Sequence, residues 1–203
     1  MAGRREEKKK KTRKAIIDAA VKLFGDKGYE QTSMATLAHA AGVGKGTIYG
    51  YFKTKSEILL AFCEEQLGFV YQELAEKTDS NADLVQQLLT VFMAEFRFVT
   101  RNKEFGRIFL REIIFPKELT LEKFHELDAR YLDLIFSLIT ASQARGELRD
   151  DYELLFIAGH FYSLYILAVS SWYSGRVQTE EEVAEGMEHL FNQAIEGLKQ
   201  RKP

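Results

Sequence analysis

The sequence predicts an all-α protein of about nine helices. Apolar residues recur at helical spacing through most of the 203 residues, and no segment shows sustained strand-like alternation. Only two prolines occur, so long helices can run without interruption. Two Thr-x-x-Glu capping boxes, beginning at Thr54 and Thr179, mark helix starts after the first quarter and near the end of the chain.

The first quarter of the chain predicts three helices. The first covers about Lys9 to Lys27, with an apolar stripe on one side. Ser33 is a suitable N-cap for a short helix over Met34–Ala40. Gly42 then supplies a residue that tolerates positive φ in a tight turn, and a second short helix follows over about Gly44 to Gly50.

Six longer helices are predicted after this segment. Thr54 caps the fourth, Pro116 stops the sixth, Gly146 lies at the carboxyl end of the seventh and Thr179 caps the ninth. Their expected ranges are about 55–76, 82–100, 103–115, 120–145, 151–173 and 180–199.

Charge is divided unevenly along the chain. Residues 1–55 contain 13 basic and 5 acidic residues, a net charge of +8, and the remainder carries −10. A basic first quarter on an acidic body indicates that one end meets a polyanion. The alternative is a solvated basic tail, and composition alone leaves both open.

The sequence also bears on location. Cys63 is the single cysteine and has no internal disulfide partner, which fits a reducing compartment. The first 14 residues lack the apolar segment of a secretion signal. The apolar run from Leu154 to Trp172 is interpreted as a buried helix in preference to a membrane span. We expect a cytoplasmic protein with no membrane partner.

The two short helices form a predicted helix-turn-helix. Small residues on the first helix allow a close crossing, and Gly42 suits the turn. The second helix opens with Lys45, and its free amides and lysine attract phosphate, whereas Thr47 and Tyr49 reach toward base edges. An ordinary corner between two helices of an enzyme or bundle is the alternative.

The motifs of this region resemble the TetR family of bacterial one-component repressors. They run in order as AAVKLF at 19–24, GY at 28–29, TSM at 32–34, LA at 37–38 and AGVGKGTIYGYFKTKSE at 41–57. The resemblance covers about residues 12–60. Beyond them, only length, helix count and all-helical character match.

The resemblance implies a homodimer with two domains. The first, residues 1–55, would be a basic arm and helix-turn-helix that binds DNA. The second, residues 56–203, would bind a ligand and dimerise. The residues expected to contact DNA, from the family pattern and from side-chain chemistry, are Thr32, Ser33, Thr36, Lys45, Gly46, Thr47, Tyr49, Tyr51 and Lys55.

Two departures from the family pattern stand out. Gly44 occupies a position where serine is frequent, so the recognition helix lacks a hydroxyl cap. Gly50 occupies a position where a larger residue is common, which removes one DNA contact and loosens the helix by about 1 kcal/mol relative to alanine. Base recognition is therefore expected to depend on fewer side chains.

The last two predicted helices are candidates for the dimer interface. The eighth is apolar almost all round and the ninth carries a wide apolar stripe, so a second copy of the chain could cover their outer sides. The alternative is that both are core helices. The predicted interface residues are Phe161, Tyr165, Val169, Trp172, Met187, Leu190, Phe191, Ala194 and Leu198.

Helices four to seven are rich in phenylalanine. Such residues can line an apolar ligand cavity. The alternative, which is commoner for any single aromatic residue, is that they form plain core. The candidate pocket residues are Phe62, Phe92, Phe96, Phe109, Arg111, Phe136, His160 and Tyr165.

Catalytic and metal chemistry are not indicated. The four histidines are scattered, and neither a glycine-rich phosphate loop nor a G-x-S-x-G turn occurs. We predict no enzyme activity, no metal and no cofactor. The predicted function is a homodimeric repressor that a small hydrophobic or amphipathic ligand releases from double-stranded operator DNA. The alternatives are a non-specific DNA-binding protein and a helical enzyme or carrier with an incidental basic end.

Overall fold

The computed structural model describes residues 2–77, 82–115 and 121–199. Within these ranges the chain is built of nine α-helices and contains no strand, which confirms the predicted fold class. The helices are α1 (Ala2–Lys27), α2 (Met34–Ala40), α3 (Lys45–Tyr51), α4 (Lys55–Lys77), α5 (Leu84–Thr100), α6 (Lys103–Ile114), α7 (Leu121–Ala144), α8 (Leu154–Tyr173) and α9 (Glu180–Leu198).

The helix ends follow the sequence signals with a few differences. The Thr179 hydroxyl accepts from the Glu182 amide and the Glu182 carboxylate accepts from the Thr179 amide, as the capping box predicts. Gly42 and Gly146 both have positive φ, at 66° and 75°. The largest difference is at α1, which begins at Ala2 and not near Lys9. Pro116 lies outside the described residues.

The chain divides into two compact units. The first comprises residues 1–66 and 98–125, and the second comprises residues 67–97 and 126–203. Helix α4 contributes its first half to one unit and its second half to the other.

The first unit is held together by α1, which packs against α2 and α6. Apolar residues of α1 such as Ile16 and Phe24 are fully buried. The Phe24 ring meets Tyr29 edge-on at 5.0 Å between centroids. Gly25 lies against Asn102, the N-cap residue of α6, whose side chain accepts a hydrogen bond from the Phe105 amide. The amino-terminal end of α6 is therefore fixed closely on α1.

The second unit has an aromatic interior between α5, α8 and α9. The Phe92 and Tyr165 rings stack at 5.1 Å, and Phe191 meets both Phe92 and Phe161 edge-on. On its outer side, Arg97 of α5 binds Glu73 at 2.8 Å and Glu180 at 2.9 Å. Hydrogen bonding from Lys77, with the Arg97 charge beside it, lowers the pKa of the Glu73 carboxyl.

Helix α8 is the one described helix that is long and apolar enough to cross a membrane. Its buried residues Ile157, Phe161, Tyr165 and Val169 share one face and enter the core of the second unit. Helix α8 therefore has one core face, whereas Leu155, Phe156 and Leu167 are exposed.

Candidate nucleic-acid interface

Helix α2 begins at a polar cap. The Ser33 hydroxyl accepts from the Thr36 amide at 3.1 Å and lies 2.8 Å from the Thr36 hydroxyl, and both side chains are at the surface. On the inner side of the same helix, Leu37 and Ala38 are buried. The two hydroxyls therefore mark the solvent end of a helix whose other face is fixed in the core.

A tight turn connects α2 to α3. Gly42 adopts φ 66°, and the Val43 amide donates to the Ala38 carbonyl oxygen at 2.9 Å. A side chain at Gly42 would be strained at this φ, although no atom lies within 4 Å of the position its Cβ would take. The glycine is thus required by the backbone conformation of the turn and not by crowding.

Helix α3 has one buried residue, Ile48, which has no exposed surface. Lys45, Gly46, Thr47 and Tyr49 are all exposed on the remaining sides. No side chain caps this helix at Gly44, so its first amides face solvent. A cation, a hydroxyl, a phenol and free amides therefore lie together on a short helix, which suits phosphate binding and contact with base edges.

The carboxyl end of α3 is fixed by neighbouring side chains. The Lys53 ammonium donates to the Tyr49 carbonyl oxygen at 2.7 Å, and the Lys53 amide donates to Glu57. The Thr54 hydroxyl accepts from the Glu57 amide at 3.2 Å. Only half of the predicted capping box is formed, because the Glu57 carboxylate receives the Lys53 amide in place of that of Thr54.

Two residues of the predicted DNA-binding set are engaged inside the first unit. Thr32 is 1% exposed, and its hydroxyl donates to the Gly28 carbonyl oxygen at 2.8 Å. A hydroxyl so enclosed has no path to a phosphate, so we leave Thr32 out of the interface proposed below. Lys55 is half-buried, donates to the Tyr29 carbonyl oxygen at 2.7 Å and lies 4.4 Å from the centre of the Tyr29 ring.

The predicted dimer residues lie mostly inside the protomer. Phe161, Tyr165, Met187 and Phe191 have no exposed surface in a single chain, and the remaining five are buried or half-buried. All nine pack at least in part against the chain's own core, and their place in an interface between copies stays a prediction. The exposed apolar residues of α8 are instead Leu155, Phe156 and Leu167.

The predicted pocket residues fall into separate groups. Phe62 and Phe109 belong to the first unit, with ring centroids 4.9 Å apart. Phe92, Phe96 and Tyr165 are buried in the second unit, where Phe136 is half-buried. Arg111 and His160 are both exposed. The predicted set is therefore divided between the two units, and its role in ligand binding stays a prediction.

Sequence reasoning missed a buried polar group in the second unit. Glu95 of α5 is 7% exposed and accepts a 2.9 Å hydrogen bond from the Tyr131 hydroxyl. The rings of Tyr162 and Tyr131 lie 6.4 Å apart, and Tyr162 also neighbours Tyr165. An acidic residue in the apolar run from Val91 to Val99 is the sequence signal that marks such a site.

Burial raises the pKa of both Tyr131 and Tyr165 well above the usual range. The Glu95 carboxylate beside them raises each pKa further, because a second negative charge would be placed next to the first.

Comparison with known proteins supports the inference from the geometry. A family model described as bacterial regulatory proteins, tetR family, matches residues 16–62. The fatty acid metabolism regulator protein of Bacillus subtilis is 26% identical over 157 residues, covering 77% of this chain and 81% of the relative. The transcriptional regulator AcrR of Shigella flexneri is 32% identical over 120 residues, covering 58% and 54%.

Solved structures match over nearly the whole chain. FadR of Bacillus subtilis, determined with stearoyl-CoA, is 23% identical with a TM-score of 0.75, covering 91% of this chain and 98% of that one. FadR of Thermus thermophilus, described as a transcriptional repressor and determined with lauroyl-CoA, is 25% identical with a TM-score of 0.69, covering 94% and 97%. With its helix-turn-helix and these matches, the chain belongs to the tetR family of bacterial regulatory proteins.

Proposed function

We propose that this transcriptional regulator is a homodimeric repressor that a small amphipathic ligand releases from its operator. The observation that carries the proposal is the exposed face of α3, where Lys45, Thr47 and Tyr49 surround a helix held in place by Ile48. Two copies of this helix would enter successive major grooves about 34–36 Å apart.

The side chains of this face divide by their chemistry. Lys45 and the first amides of α3 bind phosphate, Thr47 and Tyr49 contact base edges, and Gly46 lets the backbone come close to the DNA. Ser33 and Thr36 contact the phosphate backbone from the start of α2.

Two further residues complete the proposed interface. Lys55 gives one of its three N–H groups to Tyr29, which leaves two for a phosphate. Tyr51, at the end of α3, is half-buried, and we assign its exposed part to the DNA contact.

For the ligand we propose a fatty acyl thioester. The support comes from relatives, since a similar chain is named as a fatty acid metabolism regulator and two similar structures were determined with acyl-CoA. The helices of residues 56–203 are rich in aromatic and aliphatic side chains, which suit an acyl chain. We assign ligand binding and dimerisation to these residues, and DNA binding to residues 1–55.

Release would operate through α4. This helix begins four residues after α3 ends and contributes to both compact units, so a displacement of its second half is transmitted to the segment that carries α3. The ligand must favour the released state by about 1–3 kcal/mol, which is the usual size of such coupling.

The proposed dimer uses the exposed face of α8. Phe156, His160, Ser163 and Leu167 follow one another at helical spacing on this face, and all four are exposed in the single chain. A two-fold contact there would cover Phe156 and Leu167 with their copies in the partner. We further propose that the protein acts in the cytoplasm, where its DNA lies, and has no enzymatic activity.

The test uses the duplex immediately upstream of the protein's own gene and a scrambled duplex of equal length. Lys45→Ala and Tyr49→Ala are expected to weaken binding to the upstream duplex by about fivefold to 150-fold, since removing a contact costs about 1–3 kcal/mol. The control is Lys22→Ala, an exposed lysine on α1. Unchanged binding by both α3 variants, with wild type preferring the upstream duplex, would overturn the assignment of α3.

A further inference from the structure

The amino-terminal part of α1 projects beyond the core of the first unit. Residues 3–11, called here the arm, are all exposed, and the first fully buried residue of the helix is Ile16. The arm is nevertheless helical and continuous with the rest of α1. At about 1.5 Å per residue its nine residues extend the helix by about 13 Å.

The arm is strongly basic. It carries six cations against Glu6 and Glu7, a net charge of +4; the cations are Arg4, Arg5, Lys8, Lys9, Lys10 and Lys11. Lys11 pairs with Glu7 at 2.9 Å, but both side chains are largely exposed, so the pair is weak. Across the described ranges, Lys8, Lys9 and Lys10 form no ion pair.

The base of the arm is fixed beside the DNA-reading helix. Arg13 binds Glu64 at 2.7 Å, and its guanidinium lies 5.6 Å from the centre of the Phe52 ring. Phe52 is the C-cap residue of α3. The base of the arm therefore lies next to the carboxyl end of the exposed α3, and the arm adds its charges to the basic surface of this unit.

The charges of the arm favour a polyanion as its partner. Arg4 and Lys8 lie one helical turn apart, as do Arg5 and Lys9, and like charges at this spacing destabilise a helix in water. Double-stranded DNA carries one negative charge per about 1.7 Å of axis, so an arm of about 13 Å can face several phosphates. Binding would remove the repulsion and place unpaired lysines opposite phosphates.

We propose that the arm is a second DNA-binding element. It binds the phosphate backbone next to the site that α3 contacts, and it does so independently of base sequence. The inference rests on the proposed function, because the arm acts where α3 brings it to DNA. Helix α3 then supplies the preference for one sequence, whereas the arm adds affinity for any duplex and makes binding more sensitive to salt.

The experiment compares wild type with the variant K8Q/K9Q/K10Q/K11Q, which keeps good helix formers in the arm and removes four charges. The matched control is K22Q/K27Q, two exposed lysines near the other end of the same helix. Binding to the upstream duplex and to the scrambled duplex is measured by fluorescence anisotropy from 50 to 300 mM NaCl. Circular dichroism of each variant checks that its helix content is retained.

The arm variant is expected to weaken binding to both duplexes by the same factor, about tenfold or more at the lowest salt. The slope of log affinity against log salt should become shallower by about 0.9 for each phosphate that the arm no longer neutralises. The ratio of the two affinities should not change, and the control should match wild type.

Two other outcomes separate the proposals. Wild-type affinity and salt slope in the arm variant, with Y49A selectively weakened on the upstream duplex, would overturn the arm proposal and leave the proposed function standing. Equal wild-type binding to both duplexes, abolished in the arm variant, would support the arm and overturn the sequence-specific repressor.

Discussion

The Tyr131 hydroxyl donates a 2.9 Å hydrogen bond to the Glu95 carboxylate inside the second unit. Glu95 is 7% exposed, so its charge has been removed from water and depends on such donors for compensation. A buried carboxylate is costly to leave short of a partner, so loss of the Tyr131 donor would weaken the link that this pair makes between α5 and α7.

Tyr131→Phe removes this donor and leaves the ring in place. We expect the free energy of unfolding at pH 7 to fall by about 1.5–3 kcal/mol, the range for a hydrogen bond to a charged group. Urea denaturation followed by circular dichroism measures the change. Tyr152→Phe is the control, since Tyr152 is 45% exposed and its ring keeps its contact with Arg149. Equal stability of the two variants would contradict the role assigned to the pair.

Alkaline pH should destabilise the protein through the same tyrosine. Burial and the Glu95 charge raise the pKa of Tyr131, so above about pH 10 the unfolded chain loses this proton while the folded chain keeps it. The stabilising contribution is complete below pH 10 and is lost as the pH rises, by up to about 1.4 kcal/mol per pH unit.

The measurement is the free energy of unfolding of wild type and Tyr131→Phe from pH 8 to pH 11.5. The wild-type curve should fall more steeply above pH 10. Parallel curves would show that the pKa of Tyr131 does not differ between the folded and unfolded states.

Gly25→Ala tests the close contact between α1 and α6. The added Cβ would lie 3.0 Å from the Asn102 side-chain oxygen and 3.4 Å from the Phe105 amide nitrogen, so it would disturb the cap of α6. Gly68→Ala is the matched control, because Gly68 lies within α4 and has no atom within 4 Å of its Cβ position. We expect Gly25→Ala to be less stable than Gly68→Ala by about 1 kcal/mol, the usual worth of an N-cap, in thermal or urea unfolding. Equal stability would mean that Asn102 moves aside without cost.

Phe156→Ser with Leu167→Ser tests the proposed dimer face. Both residues are exposed, at 70% and 49%, so the fold of the protomer should be kept. The dimer should weaken about 100-fold or more, since two copies of each apolar side chain lose their cover. Sedimentation velocity over a concentration series gives the dissociation constant of the dimer. The control is Phe115→Ser, because Phe115 is 73% exposed but lies at the end of α6 and not on α8. It should leave the dimer dissociation constant unchanged. A dimer constant unaffected by the double variant would place the interface elsewhere.

Local signals in the sequence predict the architecture well. Ser33 and Thr179 cap the helices that begin after them, and Gly42 has the positive φ that the turn needs. These features depend on two to four neighbouring residues, so a single sequence contains the information needed to place them. The predicted start of α1 is about seven residues late, because a run of lysines gives no apolar periodicity from which to infer a helix.

The orientation of helices is harder to predict than their position. Helix α8 is apolar on most sides, and periodicity cannot say which side meets the chain's own core and which meets a partner. Tyr165 is predicted both in the pocket and in the interface, yet it has no exposed surface. The site shows the same limit, because Thr32 and Lys55 have suitable chemistry for DNA contacts but donate hydrogen bonds to the backbone carbonyl oxygens of Gly28 and Tyr29.

Helix α3 buries a single residue of its own, Ile48, and its C-cap residue Phe52 is buried directly after it. Five of its seven residues are exposed, and substitutions there would alter no packed contact of the protein's interior. With α3 in the DNA-reading role proposed above, the sequence that the protein prefers on DNA can therefore change during evolution, or by design, while the stability of the protomer stays nearly constant. Replacing α3 at its exposed positions offers a direct route to a regulator with the same fold and a different target.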